Sequence, residues 1–478
     1  MAGKCRFAGK EVKVEGQDLR ELTLAEAASL VRRKKVSPVE LAEGYLRRIE
    51  ALNPSLNAYI TVAADEAMRS ARQAEDDVAR GLGLGPLHGV PLAIKDLFAT
   101  RGLRTTGGSK ILADWVPGED AHVVARLRRA GAFLLGKLNM HEWAAGATTI
   151  NPHFGPTANP WDTTRIPGGS SGGSAAAIAA ALCAGSLGSD TAGSIRMPSS
   201  LCGTVGLKPT YGLASLRGVL PLSWSLDHVG PMTRTVEDTA LLMEAIAGYD
   251  PQDPSSVDRP GADYCDALRG DVRGLRLGLP RNYFFEDADP EVVAAVRRAA
   301  SLLGAEGAHV AEVEVAGVEQ VFAVGMPVLV AEAAAYHEKY LQERPGDYGE
   351  DVLALLKAGQ SQTAIDYVRA QRARIEFRQG LEALFTRIDV LLTPTTPITA
   401  PTIEQCRAEP PTFALIRCTS PFNVAGLPAL SVPCGLSEAG LPIGLQIAGR
   451  HFEEATVLRV GAAYEQASGW RGRLPPTV

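Results

Sequence analysis

From residue 85 to about residue 240, short apolar runs alternate with Gly-rich turns and helical patterns, and no other feature restricts the fold as much. Val90-Pro91-Leu92-Ala93-Ile94 is one such run, and Gly131-Ala132-Phe133-Leu134-Leu135-Gly136 is another. Continuous apolar runs of this length suit strands buried on both faces of a mixed or parallel sheet. Ser174 to Ala184 is Ala-rich and apolar all round, which predicts a buried helix. Upstream, residues 18–80 read as helices. Thr23-Leu24-Ala25-Glu26 is a capping box, and Ser37-Pro38-Val39-Glu40 a second start signal with Pro at the first helical position. Asn57 to Val62 reads as a strand before a third, charged helix ending near Gly81. Residues 265–385 are mostly helical, for example Pro290 to Leu303 and Asp366 to Phe385. Asp389 to Leu392, Ala429 to Cys434 and Pro442 to Gly449 return to strand, and Glu453 to Ala467 is a last helix. No repeat or low-complexity linker divides the chain. The expectation is one α/β domain over residues 1–478, a mixed β-sheet core covered by helices on both faces. Its core motifs lie at about 85–240, a helical excursion at about 260–385, and the return to the sheet at about 388–478.

Composition excludes several classes. The 478 residues are 46% hydrophobic and 21% charged, which is ordinary globular usage and argues against wholesale disorder. The 49 Gly and 31 Pro follow no G-X-Y period. Basic residues number 48 against 54 acidic, a net charge of −6, and the short run Arg32 to Lys35 reads as a solvated face. This balance argues against a nucleic-acid partner. The seven cysteines (Cys5, Cys183, Cys202, Cys265, Cys406, Cys418 and Cys434) have no C-x-x-C spacing and read as free thiols of a reducing compartment. The start Met1-Ala2-Gly3-Lys4 stays charged through Arg20, without a secretory apolar core. Ala175 to Gly185, the longest apolar stretch, is too short for a bilayer. A soluble cytoplasmic protein without a membrane partner is expected.

Four local signals fail on inspection. Gly131 to Leu138 nearly matches a phosphate-binding loop but puts Leu138 where a hydroxyl is needed. Gly81-Leu82-Gly83-Leu84-Gly85 lacks the third glycine of a dinucleotide loop and reads as a surface turn. His141-Glu142 has no second histidine, so no metal or cofactor site is expected. Gly168-Gly169-Ser170-Ser171-Gly172 fits a nucleophile elbow, but Pro160 to Pro167 before it is a polar loop rather than a strand. Asp190 and His228 would be the partners of such an elbow, and nothing marks them for it.

Residues 167–210 hold a stronger constellation. Pro167-Gly168-Gly169-Ser170-Ser171-Gly172-Gly173-Ser174 precedes the Ala-rich helix, and Gly188-Ser189-Asp190-Thr191-Ala192-Gly193-Ser194-Ile195-Arg196 follows it. Glycines let a backbone approach a ligand closely, and successive N–H groups are what an oxyanion hole requires. Two polar turns would have a similar composition; the order of the residues decides. These blocks resemble the amidase signature family. So do Gly85 to Asp96, Cys202 to Thr210, Gly230 to Arg234, Ser420-Pro421-Phe422-Asn423 and Gly444-Leu445-Gln446, so the resemblance covers most of the chain.

The resemblance implies a Ser–cis-Ser–Lys triad with Ser194 as nucleophile, Ser170 as bridging serine after a cis Gly169–Ser170 peptide, and Lys95 as base. It implies an oxyanion hole of the N–H groups of Thr191, Ala192, Gly193 and Ser194. Ala192 stands where many members carry Gly, which leaves a backbone donor in place. Lysine is a base only when neutral, and burial after the apolar run Val90 to Ile94 would lower its pKa. The same relay run backwards protonates the leaving nitrogen. The resemblance also places Ala144, Ala145 and Gly146 beside the acyl pocket. Ser171 adjoins the site as a further substrate-binding residue, and Trp143 is either a pocket wall or a core residue. The expectation is a stand-alone hydrolase, monomer or homodimer, cleaving small-molecule amides or carbamates without cofactor. The alternative is the A subunit of a tRNA-dependent amidotransferase, a glutaminase working in a complex. Thr149 to Phe154 and Thr419 to Asn423 read as closer to stand-alone amidases.

Overall fold

The computed structural model describes residues 13–14, 17–82, 84–259, 261–471 and 473–476. Met1 to Lys4, Cys5 and Gly83, named above, lie outside the described residues. The capping boxes form as read. Thr23 and Ser37 cap the helices α1 (Leu24–Arg32) and α2 (Pro38–Leu56), each with its glutamate reaching back to the cap N–H. A third helix, α3 (Ala64–Ala79), follows.

Eleven strands build the central sheet: β1 (Tyr59–Val62), β2 (Pro91–Lys95), β3 (Phe133–Leu138), β4 (Gly185–Asp190), β5 (Val205–Lys208), β6 (His228–Thr233), β7 (Arg276–Pro280), β8 (His309–Val313), β9 (Val390–Pro394), β10 (Ala429–Leu436) and β11 (Pro442–Gly449). Their spatial order is β8-β7-β9-β11-β10-β5-β6-β4-β2-β3-β1. Pairing is parallel for β2 with β3 and β4 and for β7 with β8 and β9; the other pairs are antiparallel. The sheet is therefore mixed, as the buried apolar runs imply, and β2, β3 and β11 are buried along their whole length.

The Ala-rich segment departs from its reading. Its helix α4 spans Gly172–Ala179 only, and Ala181 turns left-handed (φ 50°) so that β4 begins at Gly185. α4 stays buried on every side, packed against β2, β4 and β6. After β4, a seven-residue helix, α5 (Arg196–Cys202), follows the second Gly-Ser loop. The helical excursion contains α6 (Val321–Glu343), α7 (Glu350–Gln360) and α8 (Ala364–Leu384), with α6 packed on the other two. Among the described residues, Val318–Glu343 is the one helix long and apolar enough to cross a membrane, and 56% of its most apolar window is buried inside the protein. The six described cysteines are free thiols.

Candidate active site

Lys95 ends β2 between two parallel neighbours and is fully buried. Its Nζ donates to Ser170 Oγ at 2.7 Å and to Ser189 Oγ at 2.9 Å. Burial pushes its pKa from 10.5 down to about 7, against the opposing pull of Asp227 and Asp190. The amine thus reaches its neutral form close to neutral pH. Ser170 sits in the loop before α4, after a cis Gly169–Ser170 peptide. Its carbonyl accepts the His141 N–H at 3.1 Å, and Thr149 Oγ1 donates to the Gly168 carbonyl at 2.8 Å, so the loop is clamped from both ends.

Thr191 to Ser194 form the loop that leaves β4. Among the described residues, none of their four N–H groups is taken by another protein group. Thr419 Oγ1 donates to the Ala192 carbonyl at 2.6 Å. Gly193 has φ 146°, and a Cβ there would stand 2.2 Å from Thr419 Oγ1, so the turn excludes a side chain. Ser194 is 7% exposed and its carbonyl accepts the Ser171 N–H at 3.3 Å. Among the described residues Ser194 Oγ makes no hydrogen bond, including to Ser170, which leaves it open to a reactant.

A buried network anchors this loop. Arg196 grips Asp190 with Nε at 3.0 Å and Nη2 at 2.9 Å, and donates to the Thr419 carbonyl at 2.9 Å, Gln446 Oε1 at 2.7 Å and Asn423 Oδ1 at 2.5 Å. Asn423 returns a bond to Asp190 Oδ1 at 2.8 Å. The Arg196 guanidinium and Asn423 hold the Asp190 carboxyl well below the usual range, despite its burial. The two C-terminal motifs thus act as the far half of the loop's anchor.

The remaining sequence-derived candidates fall around this centre. Trp143 and Ala144 adopt left-handed backbone (φ 51° and 61°), and the Trp143 N–H donates to the Gly107 carbonyl at 2.9 Å. The indole is 2% exposed and meets the His337 ring edge-on at 4.5 Å, with Tyr336 and Tyr340 beyond. It joins the sheet side to α6, and Ala144 and Ala145 are buried beside it. Gly146 lies against the His141 imidazole. The Ser171 hydroxyl donates to the Ser189 carbonyl at 3.2 Å and is fully buried. His228 Nδ1 lies 2.7 Å from the Leu226 carbonyl, burial drives its pKa far down, and Asp190 is committed to Arg196. No elbow assembles from these residues, and a loop precedes Gly168. Among the described residues no group of three or more His, Cys, Asp or Glu is placed to hold a metal ion.

Sequence reasoning missed Ser189, Asp227 and Thr419. Ser189 stands in the Gly-Ser block without a mark of its own, and only the pairing of β4 beside β2 brings its hydroxyl to Lys95. A buried lysine bonded to two serine hydroxyls, beside a row of N–H donors without a protein partner among the described residues, is an arrangement that can support acyl transfer.

The Amidase family model matches residues 40–458, and the chain belongs to that family, whose chemistry is C–N bond cleavage. Among relatives, it is 44% identical to the A subunit of the Glutamyl-tRNA(Gln) amidotransferase of Moorella thermoacetica, over 96% of this chain and 99% of that one. Among solved structures it resembles the same subunit from Thermotoga maritima, with TM-score 0.83 and 35% identity, covering 96% and 99% of the two chains. It also resembles a chain described in terms of a vestigial protein complex and the evolutionary origins of an s-triazine catabolic enzyme, with TM-score 0.89 and 39% identity, covering 94% and 98%.

These relatives overturn two expectations. The stand-alone small-molecule hydrolase gives way, because near-full-length relatives are subunits of an amidotransferase. The exclusion of nucleic acid, with a small molecule and at most a second copy as partners, gives way for the same reason. The physical error is plain in both cases. Thr149, Asn151, Thr419 and Asn423, from the two motifs read above as closer to stand-alone amidases, bond to backbone of the site and so serve either kind of enzyme alike. A net charge of −6 describes this chain's own balance and says nothing about what a complex containing it engages.

Proposed function

We propose that this chain is the amide-hydrolysing A subunit of a tRNA-dependent amidotransferase, releasing ammonia from glutamine for transfer to glutamyl-tRNA. The observation that carries the reading is 44% identity to such a subunit over 96% of the chain. The chain acts as one domain, since its single large sheet runs from Tyr59 to Gly449. Ser194 Oγ attacks the carboxamide carbon. Its proton passes to Ser170 while Ser170 gives its own to neutral Lys95. The oxyanion takes N–H groups from Thr191 to Ser194. Collapse breaks the C–N bond as the proton returns through Ser170 to the nitrogen, which leaves as ammonia. The glutamyl ester on Ser194 is then hydrolysed by water, with Lys95 again accepting a proton, and glutamate is released. Trp143, Ala144, Ala145, Gly146 and Ser171 are the proposed surroundings of the substrate.

The test supplies amide-¹⁵N glutamine and glutamyl-tRNA to the chain co-purified with the other subunits of its complex. The label should appear in glutaminyl-tRNA. Ser194→Ala should lose that transfer but keep amidation from added ammonium. Rapid hydrolysis of aryl amides or carbamates, with no ammonia from glutamine in either setting, would refute the proposal.

A further inference from the structure

The oxyanion loop is anchored on one side by Arg196 and Asp190. At its start a second carboxylate, Asp227, holds the Thr191 side chain. Asp227 immediately precedes β6, and the register of that strand sets His228 opposite Asp190. Asp227 therefore reaches from the start of β6 to the loop that leaves β4. Its Oδ1 accepts the Thr191 hydroxyl at 2.6 Å. Its Oδ2 accepts the N–H groups of Leu222 at 2.9 Å and Ser223 at 3.1 Å. Ser223 Oγ in turn donates to Glu332 Oε2 on α6 at 2.6 Å, and Tyr367 on α8 donates to Glu332 Oε1 at 2.9 Å. Among the described residues no Lys or Arg forms an ion pair with Asp227. Of the charges that favour protonated Lys95, that of Asp227 is the largest and Asp190 the next.

We propose that Asp227 is a positioning residue of the hydrolytic centre: through Thr191 it fixes the row of N–H donors, and its carboxylate lends negative charge to the side of the centre that holds Lys95. The proposal rests on Ser194 being the nucleophile. The charged and titratable groups around Asp227 include Lys95 on β2, Asp190 at the end of β4 with Arg196 after it, His228 next in the chain, Glu332 on α6, Arg374 on α8 bonded to Ser225, and Tyr211, Arg217 and Asp253 around the cavity it borders. Burial lifts the Asp227 pKa to about 6 and Glu332 adds to that, so the group is charged over the range where Lys95 loses its proton. The start of the loop is thereby tied to Asp227, which is tied in turn to the helical excursion through Ser223 and Glu332.

The test is the rate at which a fluorophosphonate labels Ser194 in the full chain, followed against pH. This readout needs no amide substrate. If the wild type is not labelled at Ser194, the nucleophile assignment fails; if it is, the variants judge the inference. Thr191→Val keeps the shape but removes the hydroxyl, and should slow labelling about tenfold, with Thr191→Ser restoring it. Asp227→Asn removes the charge and should move the ascending limb to lower pH by about one unit. A role confined to folding would change the amount of active protein and leave the limb where it is. A wild-type rate in Thr191→Val, or an unmoved limb in folded Asp227→Asn, overturns the proposal. Thr191→Val decides by itself if Asp227→Asn does not fold.

Discussion

Replacing Lys95 with methionine should abolish turnover and yet stabilise the fold near neutral pH. The folded pKa of Lys95 is depressed from 10.5 to about 7. Between those values the unfolded chain holds a proton that the folded chain has lost, so stability rises with pH across that window. At pH 7 the buried amine costs about 4 kcal/mol relative to a lysine left in water, and at pH 9 about 2 kcal/mol. Methionine removes that cost, but it leaves the hydroxyls of Ser170 and Ser189 without their partner. Two lost hydrogen bonds take back about 1 kcal/mol each. Lys95→Met should therefore be about 2 kcal/mol more stable than the wild type at pH 7 and about equal to it at pH 9. Urea unfolding at the two pH values measures both numbers. The hydroxyl term is the same at either pH, so the change in the gap isolates the lysine. A gap that stays constant between pH 7 and pH 9 would show that Lys95 is not neutralised by folding, and the base assignment would fall with it.

Ser194→Ala should reduce turnover to background with an unchanged melting temperature, and a fluorophosphonate adduct found on Ser170 instead would reverse the assignment. Arg196→Met should lower stability by about 3–5 kcal/mol in denaturant titration, because it leaves the Asp190 carboxylate buried without its cation; a loss below 1 kcal/mol would show the network to be dispensable. Gly193→Ala should abolish labelling of Ser194 while sparing the overall fold, since its Cβ would collide with Thr419; wild-type labelling would show that the loop is not held as described. Dialysis against EDTA should leave hydrolysis unchanged, and a zinc-reversible loss would reveal a metal site.

Much of the sheet was legible because its strands are apolar and bounded by turn residues. Val90 to Ile94 and Pro442 to Gly449 are strands within a residue of where they were read. β4 was not, because Gly185-Ser186-Leu187-Gly188-Ser189-Asp190 has the composition of a loop. Its small residues are a packing requirement: a Cβ at Gly188 would stand 2.8 Å from Met232 Sδ on β6 and 2.9 Å from Ser171 Oγ. β6 carries Gly230 and Pro231, which read as punctuation, yet Pro231 stands opposite Leu187 in the middle of the sheet. β8 is an edge strand, mostly exposed, with no apolar pattern to find. At the site, Lys95, Ser170 and Ser194 lay in motifs of fixed order. Asp227 is one carboxylate between Leu226 and His228, and only the β4–β6 register brings it to Thr191. Sequence order records neighbours along the chain, and this contact is a product of the strand pairing.

The division of labour in the molecule explains why the chemistry could be read and the substrate could not. Lys95 and Ser189 belong to strands β2 and β4, and the loops of Ser170 and Ser194 are clamped by backbone bonds and by the buried Arg196 network. These parts need particular residues in particular places, so they leave a readable pattern. Trp143 packs against Tyr336, His337 and Tyr340, all on α6. An apolar or aromatic wall asks only for size and shape, and many side chains meet that demand. On the proposed reading, in which Trp143 borders the substrate, a change of acyl group requires new residues on α6 and its neighbours, with the sheet untouched. By the same logic the motifs at the C-terminus cannot separate a stand-alone hydrolase from one component of an amidotransferase. Asn423 and Gln446 hold Arg196, and Arg196 holds the loop, whichever amide enters. Exchanging the α6 residues that face Trp143 should alter which amides react while leaving the pH limb of Ser194 labelling in place, because that limb belongs to Lys95 and its carboxylates.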